Sequence, residues 1–214
     1  AALGPLLALK RKVNGGKGLD GLARGVGYRL VEGFGSAPRA ALADEIDQLS
    51  GQERRQLRQA GVRIGEHAVF LPALLKPRAA RLNALLKAAH QGDPDTALVP
   101  AAGLTSVPVE TGRGEADYGA AGYQRCGPRA VRLDILERLA DLIREGRKSQ
   151  GKGLFAPDAA MATLLGCSNE ELRQILKALG YKRVRKASSA AAGEATPELW
   201  GGRARSLDPA RVKA

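Results

Sequence analysis

The chain has 214 residues, with 34 Lys and Arg against 22 Asp and Glu, which leaves a formal net charge of +12. This length can form one large domain or two small ones without disulfides or metals, and two cysteines with two histidines support neither a disulfide framework nor a zinc site. No apolar run approaches the roughly 20 residues that span a membrane, so the sequence predicts no membrane partner and a reducing, cytoplasmic setting.

The excess of positive charge favours a phosphate-rich partner. Each phosphate that a protein neutralises releases counterions, and nucleic acid is therefore the first candidate. A basic surface that only keeps the protein dissolved is the alternative. An anionic membrane ranks third, because the sequence has no strongly basic amphipathic helix with Trp or Phe on its apolar face.

Residues 1–17 are predicted to be a flexible, basic lead-in that ends at a pair of glycines. Because the chain starts at Ala1 and its only methionine is Met161, we expect it to be a fragment of a longer protein. From Leu19 to Leu30, apolar residues recur at helical spacing and predict an amphipathic helix. Glycines inside this helix indicate that another element packs closely against it.

The stretch 57–87 is predicted to fold as a helix, a β-hairpin and a second helix, within an accessory domain of residues 18–92. Gly61 stands where a helix ends in a left-handed residue, and Pro77 stands where a first helical turn needs no N–H. The two residues therefore mark the ends of the hairpin segment.

Part of this stretch has an echo further along the chain. Residues 65–75 resemble residues 127–137, with Gly65 falling on Gly127, and each copy is followed by a helical pattern. Either a repeated supersecondary unit or a shared strand-to-helix pattern explains the likeness. A true repeat predicts that four short strands share one sheet.

Two S-x-x-E capping boxes predict helix starts, one at Ser50 and one at Ser168. The second opens the second helix of a unit that resembles a helix-turn-helix, with a strand or wing predicted at 181–185. The start of that helix carries Glu170, which phosphates would repel, so packing is as good an interpretation as DNA reading.

The sequence predicts an α+β fold, mainly α, in which a helical bundle carries short β-hairpins. Residues 93–121 are predicted to be a linker with one anchored piece at Leu104–Val109, because they are rich in glycine and proline. Residues 122–186 are predicted to form a hairpin, a helix and the helix-turn-helix-like unit. Residues 187–214 are predicted to be a disordered basic tail in which Trp200 either stacks on a base or docks onto the protein.

Lys76 and Arg78 lie at the start of a predicted helix, where the helix dipole disfavours cations by about 0.3–1 kcal/mol. Exceptions to a local rule concentrate at functional sites, so phosphate contact is one interpretation and simple solvation is the other. The proposed nucleic-acid contacts are Lys76, Arg78, Arg81, Lys182, Arg183 and Arg185, with Arg24 and Arg29 in reserve.

Five segments together resemble a known family. They are GLARGVGYRLVE from Gly21, LRQAGVRIGEHAVFLPALLKP from Leu57, GLTSVP from Gly103, GPRAVRLDILERLAD from Gly127 and LLGCSNEELRQILKALGY from Leu164. The arrangement is similar to the region behind the motor core of bacterial MgpS-like superfamily 2 helicases, relatives of the ATP-dependent RNA helicase of the mitochondrial degradosome. The resemblance covers residues 5–185 and is most specific at 60–77.

This resemblance implies the accessory, C-terminal region of a motor that couples ATP hydrolysis to movement along RNA or DNA. The implied partners are a single strand of RNA or DNA and a RecA-like helicase core, upstream in the same polypeptide. The chain has no phosphate loop, no DExH run and no arginine motif of such a core. No catalytic residue is therefore carried over, no cofactor is expected in this chain, and ATP and magnesium are expected only in the missing core.

Two alternatives remain open. A DNA-binding regulator built around the helix-turn-helix predicts a two-fold dimer and a strong preference for one duplex sequence. A protein-docking scaffold, whose basic residues are only solvated, predicts no binding of nucleic acid at physiological salt. An enzyme is less well supported, because no pair of carboxylates and no Ser-His-Asp or Cys-His set stands out by its spacing.

Overall fold

The computed structural model describes residues 2–15, 18–185 and 197–203. These residues form an α+β chain that is mainly helical and contains three small antiparallel sheets of three strands each. The fold class predicted from the sequence is confirmed. Within the described ranges, no helix is both long enough and apolar enough to cross a membrane.

Residues 4–13 are helical, so the interpretation of this segment as a flexible lead-in was wrong there. Residues 1, 16 and 17 of the predicted lead-in lie outside the described residues. Helix α1 (Gly4–Val13) packs against α2 (Gly21–Glu32). Three apolar side chains of α1 are buried there: Leu6, Leu9 and Val13. Their spacing of three and four residues makes an apolar stripe that α2 covers. A Cβ added at Gly27 would lie 3.0 Å from Val13 Cγ2, which confirms the expected close approach of another element at this glycine.

Replacement of Leu9 by Ala is expected to lower the free energy of unfolding by about 2–4 kcal/mol, because the buried side chain would leave a cavity. Leu7, in the same helix, is 50% exposed. Leu7→Ala is therefore the matched control and should cost less than about 1 kcal/mol. Urea denaturation followed by circular dichroism measures both, and equal costs would show that α1 does not pack as described.

The first sheet consists of one strand and a hairpin, with two helices between them along the chain. In chain order these are β1 (Ser36–Pro38), α3 (Ala43–Gln48), α4 (Gly51–Gln59), β2 (Arg63–Ile64) and β3 (Ala68–Phe70). Strand β3 pairs antiparallel with both of the others. Gly61 has a φ of +84°, as expected for the residue that ends a helix, and α5 (Pro77–His90) follows the hairpin. The predicted helix, hairpin and helix are confirmed.

The second sheet begins inside the predicted linker. Its elements are β4 (Ser106–Pro108), α6 (Glu115–Ala120), β5 (Tyr123–Cys126) and β6 (Arg129–Arg132), followed by α7 (Leu133–Gln150). The anchored piece at Leu104–Val109 is confirmed as β4. The linker interpretation was otherwise wrong, because pairing of β4 with β6 and full burial of Tyr118 order the segment despite its glycines and prolines.

The third sheet completes the helix-turn-helix-like unit. Its elements are β7 (Leu154–Phe155), α8 (Ala159–Leu165), α9 (Asn169–Ala178), β8 (Tyr181–Arg185) and β9 (Leu199–Arg203). The two predicted helices and the strand after them are confirmed. The prediction of a disordered tail was wrong at 199–203, because Trp200 is fully buried and β9 pairs with two strands. Residues 187–196 and 204–214 of that predicted tail lie outside the described residues.

The three sheets share one strand order, β1-β3-β2, β4-β6-β5 and β7-β9-β8. In each, the strand that comes last along the chain is central and pairs with both earlier strands. The sequence echo between residues 65–75 and 127–137 falls on equivalent places, since each copy holds the central strand of its sheet. The expectation of one four-stranded sheet was wrong, because each hairpin pairs with its own earlier strand.

The regions 18–92 and 122–186, predicted as separate units, share a hydrophobic core. Ala68 and Phe70 of β3 belong to the same buried cluster as the apolar faces of α7, α8 and α9. The side chains therefore pack across the predicted boundary.

A buried carboxylate on α7 connects the same two regions. Glu137 is 8% exposed, and its oxygens each accept a hydrogen bond from the backbone N–H of Glu66 at 3.1 Å. Burial raises the pKa of Glu137, against the opposing effect of the backbone N–H groups of Glu66 and His67. A Cβ added at Gly65 would overlap this carboxylate, so the close contact requires glycine there.

Candidate nucleic-acid interface

The three cations proposed at the start of α5 are exposed. Lys76 directly precedes the helix, and Arg78 and Arg81 lie in its first turns. Among the described residues, these three side chains have no hydrogen-bond or ion-pair partner, and the first turn contains no acidic residue. The partial positive charge of the helix N-terminus adds to theirs, so this end of α5 attracts anions.

Arg78 and Arg81 line an open groove with a volume of about 620 Å³. The segment 98–103 also lines it, together with Tyr123 and Arg132 of the second sheet. Residues from four separate parts of the chain therefore meet around the two arginines proposed from sequence.

The other polar groups of the groove are engaged within the protein. Arg132 donates to the two carboxylate oxygens of Asp134 at 2.6 and 3.0 Å, and this pair raises the pKa of Arg132. Tyr123 is 6% exposed and donates its hydroxyl proton to the carbonyl oxygen of Leu104 at 2.9 Å. Burial raises the pKa of this phenol. Charge that can bind a ligand in the groove comes mainly from the α5 arginines.

The cations of β8 form a separate group that does not line this groove. Arg183 lies 3.6 Å from a carboxylate oxygen of Glu198, and Arg185 donates to the carbonyl oxygen of Pro197 at 3.4 Å. Lys182 is exposed. Two of the three proposed contacts therefore already have partners within the protein.

Glu198 also accepts a hydrogen bond from Arg173 of α9 at 2.8 Å. Burial by itself would raise the pKa of Glu198, but the hydrogen bond from Arg173, together with the charges of Arg173 and Arg183, lowers it overall. The carboxylate is held ionised between two arginines, which reduces the positive potential at this end of the molecule.

Helix α9 is a poor phosphate surface at its N-terminus. Gly166 makes the turn before it with a φ of +62°, and Ser168 forms the predicted capping box with Glu171. Glu171 is bound by Arg129 of β6 at 3.0 Å, which attaches α9 to the second sheet. Glu170 is exposed where a reading helix would meet DNA.

The reserve arginines have internal partners. Arg24 donates to the carbonyl oxygen of Val13 at 2.7 Å, and Arg29 lies 4.0 Å from Glu45. In the part of the chain that the structure describes, no cluster of three or more His, Cys, Asp or Glu side chains could hold a metal ion.

The sequence reading missed a second basic cluster, on α4 and the strands beside it. The arginines are Arg39, Arg54, Arg58 and Arg63, and they line one pocket. The sequence contains a signal for this region, because the pattern S-x-x-E-x-R-Q occurs at both 50–56 and 168–174, where α4 and α9 begin.

Comparison with known proteins gives no match, since no family model fits the chain and neither a curated protein nor a solved structure matches it. The resemblance to helicases stays a prediction.

Proposed function

We propose that this chain is a nucleic-acid-binding accessory module that holds a single strand of RNA or DNA through its phosphates. The observation that carries the proposal is a set of exposed cations, Lys76, Arg78 and Arg81, at the N-terminus of α5 beside an open groove. None of the three has a partner within the described part of the chain. A backbone phosphate there meets both the side-chain charges and the helix dipole.

The chemistry of the groove supports phosphate contact over base stacking. Proteins that stack on bases present exposed aromatic faces, whereas the aromatic residue lining this groove, Tyr123, is buried. Contacts to phosphates carry no sequence information. The module therefore binds strands of different sequence with similar affinity.

The helicase setting is part of the same proposal and is supported by the sequence resemblance. In that setting a RecA-like core, upstream in the same polypeptide, binds ATP and magnesium and moves the strand, while this chain completes the path of the strand behind it. The proposed compartment is the reducing cytoplasm, which suits the free thiols of Cys126 and Cys167.

Titration of fluorescent single-stranded oligonucleotides with the protein, over a range of potassium chloride, tests the proposal. With three phosphates neutralised, the slope of log Kd against log salt is expected to be about 2, so affinity falls about 20-fold between about 50 and 200 mM salt. Oligonucleotides of different sequence should agree within about threefold. Absence of binding, or a strong preference for one duplex sequence, would instead favour the docking scaffold or the DNA-binding regulator.

A further inference from the structure

Four arginines surround a second pocket, between α4 and the β2-β3 hairpin. It has a volume of about 430 Å³ and is lined by Arg39, Arg54, Arg58 and Arg63 with Val62 and Ile64. No carboxylate belongs to this lining. Positive charge therefore converges on a cavity that is large enough for a phosphate group and its neighbours.

Two of the arginines are held in place by backbone carbonyl groups. Arg54 donates to the carbonyl oxygens of Ile46 and Leu49, and Arg39 donates to that of Gly65 at 3.1 Å. These bonds orient the guanidinium groups without neutralising them. The pocket is thus preorganised for an anion.

The other two arginines are free to bind. Arg58 and Arg63 are exposed, and neither side chain forms a hydrogen bond or ion pair with another described residue. The nearby carboxylates are weak competitors. Asp47, whose side chain is 66% exposed, lies 4.0 Å from Arg39, and Glu137, which attracts Arg63, is already bonded to the backbone of Glu66.

The pocket lies beside the second helix of a unit whose order of elements repeats that of the helix-turn-helix-like unit. The order α2, β1, α3, α4, β2, β3 repeats that of α7, β7, α8, α9, β8, β9, with the same central strand. In both units the second helix opens with a capping box, at Ser50 with Glu53 and at Ser168 with Glu171. Helix α4 therefore occupies the position from which such units enter the major groove of DNA.

The exposed face of α4 has the chemistry that a DNA groove requires. Gln52, Arg55 and Gln59 are exposed on it, and these side-chain types bond to base edges and phosphates. Glu53 is withdrawn from this face, because it accepts hydrogen bonds from the backbone N–H groups of Ser50 and Leu22 at 2.9 and 2.8 Å. Helix α9, by contrast, exposes Glu170.

We propose that α4 and the four-arginine pocket bind double-stranded DNA, with α4 in the major groove and the pocket on a backbone phosphate. Duplex RNA fits less well, because its major groove is too narrow and deep for a helix. This site goes beyond the proposed function, since its lining shares no residue with that of the α5 groove and it takes a duplex. One chain then holds both arms of a junction between duplex and single strand.

The double variant Arg58→Ala/Arg63→Ala tests this site. Fluorescence anisotropy with a blunt DNA duplex is expected to show affinity about tenfold weaker, with the slope of log Kd against log salt lower by about 1–2. Affinity for a single strand of the same sequence should change by less than about threefold. Arg138→Ala/Lys148→Ala removes the same charge from exposed positions of α7 and is the matched control, with the same small change expected for both DNAs.

A second variant, Gln52→Ala/Arg55→Ala, changes only the exposed face of α4 and should also weaken duplex binding, which keeps the test informative if the first variant unfolds. Unchanged duplex affinity in both variants, or no duplex binding by the parent chain, would overturn the inference. An equal loss for duplex and single strand would also overturn it, because the pocket would then belong to the single-strand path. If the parent chain binds the duplex but not the single strand, the proposed function is contradicted and this inference is not.

Discussion

Replacement of Trp200 by Ala is expected to lower the free energy of unfolding by about 3–5 kcal/mol, the largest effect that we predict for one side chain. Trp200 is 0% exposed and belongs to the same buried cluster as Phe155 and Tyr181. It lies on β9, which pairs with both β7 and β8, so loss of the side chain also weakens the sheet that covers α9.

Val184→Ala is the matched control for this substitution. Val184 lies in the adjacent strand β8 but is 61% exposed, so its truncation should cost less than about 1 kcal/mol. Urea denaturation followed by circular dichroism compares both variants with the parent chain. Similar stabilities of the Trp200 variant and the parent would show that residues 199–203 do not complete the third sheet.

The triple variant Lys76→Ala/Arg78→Ala/Arg81→Ala is expected to weaken single-strand binding about 30-fold to 100-fold at low salt. The slope of log Kd against log salt should fall by about 2, because about 0.7 of a counterion is released for each phosphate of a single strand. All three side chains are exposed, so the variant should keep the stability of the parent chain. Fluorescence anisotropy with a labelled single strand measures the loss.

Two control variants, which remove the same number of positive charges, are measured with the same single strand. Lys182→Ala/Arg183→Ala/Arg185→Ala should weaken binding only about threefold, because Arg183 and Arg185 already have partners within the protein. A third triple variant removes Arg138, Arg144 and Lys148 from α7 and should have an effect no larger than that. If all three weaken binding equally, net charge alone attracts the strand and the α5 groove has no special role.

The features predicted correctly from sequence are those that a few neighbouring residues determine. The capping boxes at Ser50 and Ser168 form as expected, and Gly61 adopts the left-handed conformation that ends a helix. The hairpin between α4 and α5 and the turn between α8 and α9 follow from short patterns of this kind. Backbone conformation at such places depends on local sterics and on hydrogen bonds over three or four residues.

The candidate site was only half predictable. Lys76 and Arg78 were found because cations at a helix start break a local rule that can be seen in the sequence. Their groove depends on the segment 98–103 and on Tyr123, which lie far away along the chain. Arg39 meets Arg58 and Arg63 only because β1 pairs with β3, and no local pattern in the sequence predicts that pairing.

By itself, the sequence determined most of the helices, the β2-β3 and β5-β6 hairpins, the excess of positive charge and the mainly helical α+β class. Only the tertiary structure decided that α1 packs on α2, that Tyr118 and Trp200 are buried, and that four arginines share one pocket. The physical reason is the distance along the chain over which each interaction acts. Helix and turn preferences act between near neighbours, whereas the burial of a short segment depends on surfaces that distant parts of the chain supply.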